Sequence, residues 1–154
     1  MSGGKITAYL DCAAYSTHDS ARAKQYFGLP DVQTPSFFPI LSLLPQRVLV
    51  YIKATYPELF IQTFLDVFVA MWERGQDVSK PDLLAEVLAN RFDDAQVREI
   101  VGKATTPEYK EALNANTKEA LEKGAFGCPW FWVRNSRGEE GPFFGSDRYV
   151  RFLV

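Results

Sequence analysis

The chain has 154 residues, 47% of them hydrophobic and 23% charged, with a formal net charge of −2 and a pI near 5.5. This composition fits one soluble globular domain and excludes a disordered or collagen-like chain. A nucleic-acid binder carries a basic face, but here the short segment Arg134–Asn135–Ser136–Arg137 is followed by Glu139 and Glu140, so nucleic acid and anionic membranes are not expected partners.

The first element expected is a strand over Lys5–Cys12, where β-branched and aromatic residues lead to Asp11 as a stop. The start of the chain is too short and mixed in character for a secretory leader, so the protein reads as intracellular, with its compartment open. Cys12 and Cys128 are far apart and form neither a CxxC redox pair nor a zinc framework, so no metal is expected. A short helix follows over Ser16–Phe27, capped by Thr17 or Asp19 and stopped by Gly28 and Pro30. His18, the single histidine, lies among these cap formers and is expected to be exposed. Asp31–Pro39 contains two prolines and reads as an extended linker inside one domain.

From Ile40 to Gly124 the pattern is helical. Leu59–Arg74 is apolar nearly all round, with Gln62, Asp66 and Glu73 on one narrow stripe, the pattern of a mostly buried helix. Its apolar run near Phe64–Trp72 is broken by Asp66 and falls short of the roughly 20 residues a membrane span needs. Ser79 with Asp82 is a capping-box variant, and the next helix places Leu83, Leu84, Val87 and Leu88 on one face. Asp93 with Gln96 repeats the capping pattern and opens a helix with Val97, Ile100 and Val101 inward. Thr105–Thr106–Pro107–Glu108 opens another, which runs to Gly124 as its stop. With 12 Phe, 7 Tyr and 3 Trp the core is expected to be rich in aromatic side chains.

After Gly124 the pattern changes. Trp130–Val133 and Pro142–Phe144 read as two strands joined by the turn Asn135–Ser136–Arg137–Gly138, and Ser146 or Asp147 caps a further helix start. Strand, helices, hairpin and helix start, in that order, form the skeleton of a thioredoxin-like fold with helices inserted in its middle.

The segment Gly124–Ala125–Phe126–Gly127–Cys128–Pro129–Trp130–Phe131 resembles the cis-proline segment of the kappa-class glutathione transferases and the related 2-hydroxychromene-2-carboxylate isomerases, in the DsbA-like branch of the thioredoxin superfamily. Phe143–Phe144–Gly145–Ser146–Asp147–Arg148 is similar to the second signature of that family, and the stretch from about Ser36 to Gly124 resembles its helical insert. The resemblance implies an α/β, thioredoxin-like fold of DsbA/kappa type with an inserted helical subdomain. It implies a single domain over 1–154, with the insert at 36–124 and the thioredoxin-like part at 5–12 and 125–154. It further implies glutathione as co-substrate and a small electrophile as its acceptor. Cys128, ahead of a cis Pro129, would pair with the peptide-like ligand through its main chain. Ser146 and Asp147 would hold the γ-glutamyl end at a helix start. The bland readings stand beside these. Pro129 could be an ordinary trans proline, Ser146 and Asp147 only a cap, and the Cys128 thiol an inert buried group.

The sequence departs from the family in two places. The family's catalytic serine lies in a serine–proline–tyrosine–serine segment after the first strand, where this chain has Ala13–Ala14–Tyr15–Ser16. Without gaps Ala14 takes the serine's place, and only a shifted register makes Ser16 the catalytic candidate. Between Cys12 and Thr34 there is also too little chain for the βαβ unit of about 30 residues that normally follows, so the sheet is expected to be incomplete. Three functions follow from the resemblance: a kappa-type glutathione transferase with impaired activity, a non-catalytic thioredoxin-like module that binds glutathione weakly or acts through protein contacts, or a glutathione-dependent isomerase. The shortened sheet would leave Lys5–Asp11 as a bare edge strand, and self-association or a homodimer through that edge or the sheet face is expected.

Overall fold

The computed structural model describes residues 3–29 and 32–145, with side chains from Tyr15 onward. In chain order the elements are α1 (Gly3–Tyr26), α2 (Leu43–Thr55), α3 (Pro57–Trp72), α4 (Pro81–Leu88), α5 (Asp94–Ala104), α6 (Pro107–Glu122), β1 (Trp130–Arg134) and β2 (Glu140–Phe144).

The expected first strand is not formed. Lys5–Cys12 and Ser16–Tyr26 lie in one continuous helix, α1. A strand satisfies its N–H and C=O groups only through a neighbour, whereas a helix satisfies most of them internally. Among the described residues the sheet has two strands, β1 and β2, and neither pairs with this segment. Ala8, Leu10, Ala13 and Ala14 are helix formers, so the segment accepts a helix where no strand pairs with it. The helix ends as expected at Gly28. The Leu29 N–H donates to Lys24 O at 2.8 Å and the Gly28 N–H to Gln25 O at 3.2 Å, the bond pair of a Schellman motif.

Three helices, α3, α4 and α6, begin on a proline, where the missing N–H is one that a helix start leaves unpaired anyway. The capping box of Asp93 and Gln96 forms in full, with the Asp93 carboxylate accepting from Ala95 N and Gln96 N at 2.9 Å each. The other two expected caps differ. Lys80 occupies the N-cap of α4 while Ser79 donates its hydroxyl to Asp77 Oδ1 at 2.6 Å. Thr106 occupies the N-cap of α6, and its hydroxyl donates backward to Lys103 O at 2.8 Å. A short hydroxyl side chain can bond to several nearby backbone or side-chain groups, and the preceding turn supplies the acceptor here.

Helix α2 is central and packs against α3, α5 and α6, while α4 fits between α3 and α5. Val48 and Ile52 of α2 meet Ala70, Leu84, Leu88, Ile100 and Ala104, all fully buried. The innermost layer is therefore aliphatic, against the aromatic core expected. Rings surround it instead: Tyr51 stacks edge-on to Tyr109 with centroids 5.0 Å apart, and Tyr56 tilts against Phe92 at 5.3 Å. Bulky planar rings suit the boundary, where they seal aliphatic side chains from water. The expected burial of the α3 helix holds for one face only. Thr63, Val67, Ala70 and Met71 are buried, whereas Ile61, Phe64, Leu65 and Phe68 are exposed. A helix packed against neighbours on a single side hides only that side.

The hairpin forms with Trp130 opposite Phe144 and Arg134 opposite Glu140. Its turn is closed by the Gly138 N–H to Asn135 O at 3.0 Å and the Asn135 N–H to Glu139 O at 2.9 Å. At the other end the Gly145 N–H donates to Pro129 O at 3.0 Å. Hydrogen-bonded and non-hydrogen-bonded pairs alternate along an antiparallel ladder. Counting inward from either of these bonds places Trp132 and Pro142 in a non-hydrogen-bonded pair. The absent N–H of Pro142 would therefore have pointed away from β1, and its loss leaves the ladder intact.

Candidate functional site

The chain leaves α6 through a second Schellman turn. The Gly124 N–H reaches Leu121 O and the Ala125 N–H reaches Ala120 O, both at 2.9 Å, and Gly124 takes φ +89°, where a side chain would be strained. Phe126 then folds onto the hairpin, 4.6 Å from the Phe144 ring and 5.8 Å from that of Trp130. At Gly127 a Cβ would lie 3.1 Å from the Phe144 ring, so the backbone passes close beneath it. These contacts fix the entry to Cys128–Pro129, whose peptide bond is cis, as is that of Phe38–Pro39.

Cys128 is exposed, against the buried thiol expected. The segment from Phe126 to Pro129 runs over the outside of the hairpin end and is not enclosed by it. Among the described residues nothing bonds the Cys128 main-chain N–H or C=O, while the next carbonyl, Pro129 O, is taken by Gly145. The turn thus presents one free donor and one free acceptor at the start of a strand, an arrangement that an extended peptide can pair with.

Toward its turn, at the other end from Cys128, the hairpin carries a charged cluster that the sequence reading missed. Glu140 accepts from Trp132 Nε1 at 3.1 Å and pairs with the Arg134 guanidinium. These bonds, the Trp132 one first, hold its carboxyl below the usual glutamate range. Lys123 Nζ sits 5.1 Å from the centre of the Trp132 ring and bonds Glu119 at 2.6 Å. The signal lay in the register: once Gly138 sets the turn, Trp132, Arg134 and Glu140 share a face. Trp130 is half-buried, and its indole nitrogen is enclosed without a partner among the described residues.

Ser16 lies elsewhere, on the exposed surface of α1. With Thr17, Ser20, Lys24 and Thr34 it lines a hydroxyl-rich groove of about 570 Å3, and neither Cys128 nor Pro129 is among the walls. Ser146 and Asp147 lie outside the described residues. Cys128 and Pro129 are consecutive in the chain, and Ser16 belongs to a separate surface groove. Among the described residues no three His, Cys, Asp or Glu side chains are grouped to hold a metal, and no helix is long and apolar enough to cross a membrane.

The family model of the DSBA-like thioredoxin domain matches residues 12–153. The chain is similar to Glutathione S-transferase kappa 1 of Caenorhabditis elegans, with 26% identity over 135 residues, covering 85% of this chain and 59% of that protein. It is 26% identical to Glutathione S-transferase kappa 1 of Homo sapiens over 139 residues, or 87% of this chain and 61% of that one. With Glutathione s-transferase kappa 2 of Caenorhabditis elegans the identity is 31% over 142 residues, again 87% and 61%. The chain spans about three-fifths of the length of these curated relatives.

Proposed function

The chain belongs to the DSBA-like thioredoxin domain family, with an α/β thioredoxin-like fold and a helical insertion, and on that premise we propose that it is a kappa-type glutathione transferase with impaired turnover. The observation that carries this reading is the exposed Cys128, whose main-chain N–H and C=O have no partner among the described residues. Glutathione is a peptide-like molecule and would pair with both groups while Pro129 holds the turn. Ser146 and Asp147 would receive its γ-glutamyl end, the Asp147 carboxylate accepting from the ammonium. The acceptor would be a small electrophile. Impairment follows from Ala14, which has no hydroxyl to donate to a thiolate, and from the separation of Ser16 into its own groove.

That separation also favours a second reading, a thioredoxin-like module that binds glutathione without conjugating it. Calorimetric titration with glutathione, followed by conjugation to 1-chloro-2,4-dinitrobenzene, distinguishes the two. Under the first reading glutathione binds and is conjugated slowly; loss of that turnover in Ser16→Ala with the fold intact would assign it to Ser16, and turnover that survives would show that Ser16 is not the catalytic group. Binding without conjugation supports the second. Asp147→Ala is expected to weaken binding by about 1–3 kcal/mol, the scale for unpairing a charged group, and Ser146→Ala by less. Absence of any glutathione binding overturns both.

A further inference from the structure

Aromatic rings meet at the entry to the Cys128–Pro129 turn. Phe126 lies 4.6 Å from Phe144, tilted by 40°, and 5.8 Å from Trp130, edge-on at 73°. Trp130 and Phe144 are themselves cross-strand partners, so the Phe126 ring rests on a base that the hairpin fixes. Phe126 is nevertheless 74% exposed, which means that these contacts use only a small part of its surface. Gly127 has no side chain to stand between Phe126 and Cys128. Two residues of chain span at most about 7 Å, so a ligand paired with the Cys128 main chain lies within reach of the Phe126 ring.

We propose that Phe126 sets the class of acceptor: its ring packs against an aromatic group carried by the glutathione sulfur, so the preferred electrophiles are aromatic. This rests on the glutathione reading above and adds the acceptor class to it. With the ligand's main chain paired to Cys128, its cysteinyl residue sits at the turn, and a substituent on its sulfur extends to Phe126. Two rings prefer an offset-stacked or edge-on arrangement, and such a pair contributes beyond the area it buries. Phe144 and Trp130 already place the Phe126 ring, so binding has little left to order. In the conjugation the sulfur bonds a carbon of the acceptor, the leaving group departs as an anion and the thiol proton passes to solvent. Substrate and product thus carry the same aromatic group, and a stable thioether reports on both.

Calorimetric titration of the full chain with glutathione, S-benzylglutathione and S-(cyclohexylmethyl)glutathione tests it. The two thioethers share one carbon skeleton and differ in the π-system. The wild type is expected to bind the benzyl thioether about two- to tenfold more tightly than the cyclohexylmethyl one, the affinity equivalent of one aromatic pair. Phe126→Leu should abolish that preference while glutathione itself binds as before, and Phe126→Tyr should keep it. A ring that only seats the turn would instead weaken all three ligands together. Equal wild-type affinity for the two thioethers, a preference that survives in Phe126→Leu, or a parallel loss of all three ligands overturns the proposal. Where Phe126→Leu fails to fold, the wild-type comparison decides. Glutathione bound without a benzyl preference overturns this inference alone, whereas no binding of glutathione overturns the reading beneath it as well.

Discussion

The indole N–H of Trp132 donates to Glu140 Oε2 at 3.1 Å, diagonally across the hairpin, while Arg134 holds the same carboxylate. Both bonds are stronger to the ionised form, which is why the Glu140 carboxyl lies below its ordinary range. A depressed folded value stabilises the hairpin above the unfolded glutamate pKa, and that contribution is lost as pH falls through the folded value. Acid titration of tryptophan emission should show a step below the ordinary glutamate range. Glu140→Gln should remove the step and leave the neutral-pH spectrum near that of the acid form. A wild-type emission that does not change on acidification would show that the cluster is ornamental to the hairpin.

Tyr51 makes the opposite case. Burial, with the hydrogen bond to Glu99 Oε1 at 2.8 Å, pushes its phenol from 10.0 up to about 12. The raised folded value means that the contribution is complete below the unfolded pKa of 10.0 and is lost as pH rises to about 12. Tyr51→Phe is expected to cost about 0.5–1.5 kcal/mol at neutral pH. It should also decline less steeply than the wild type in alkaline melts across that window. Parallel melting curves for the two proteins would refute the link.

Burial sorts two isoleucines. Ile100 is fully buried against α2 and α4, whereas Ile61 is 57% exposed on α3. Ile100→Ala should destabilise the chain by about 2–5 kcal/mol in urea, the range for a large core truncation. Ile61→Ala should stay within about 0.5 kcal/mol. Similar losses at both sites would mean that the exposed face of α3 is covered in solution.

The caps give a paired test. Asp93→Ala removes the two carboxylate bonds to Ala95 N and Gln96 N at the start of α5 and is expected to cost about 0.5–2 kcal/mol. Thr106→Ala removes only a hydroxyl bonded backward to Lys103 and should cost less than Asp93→Ala. A larger loss at Thr106 would show that it caps α6 after all.

Local rules explain what the sequence revealed. Asp93 with Gln96, the prolines at helix starts, Gly28 and Gly124 at helix ends, and Asn135–Gly138 between two aromatic runs each fix their element within a few residues. What stayed hidden depends on distant partners. Lys5–Cys12 has the composition of a strand, but a strand exists only where another is beside it, and that is decided by the rest of the sheet. The face that α3 leaves exposed likewise follows from how many neighbours it has, which periodicity does not record. At the candidate site, Cys128 and Pro129 stand together because they are neighbours in sequence. The place of Ser16 turned on whether its segment was a strand end or the middle of a helix.

From Tyr15 to Tyr26 every residue of α1 is exposed except Lys24, which is half-buried. Over that stretch the helix has little beyond its own hydrogen bonds to hold it, and helices so placed are marginal in water. Its scissile bonds therefore open far more often than those of α2 or α5, which unfold only with the body of the molecule. Brief trypsin treatment should cut first after Arg22 and Lys24. The trimmed product would keep α2 to β2 and its cooperative melt, and would lose the groove around Ser16 in a single step. Protease sensitivity thus divides the chain where packing ends.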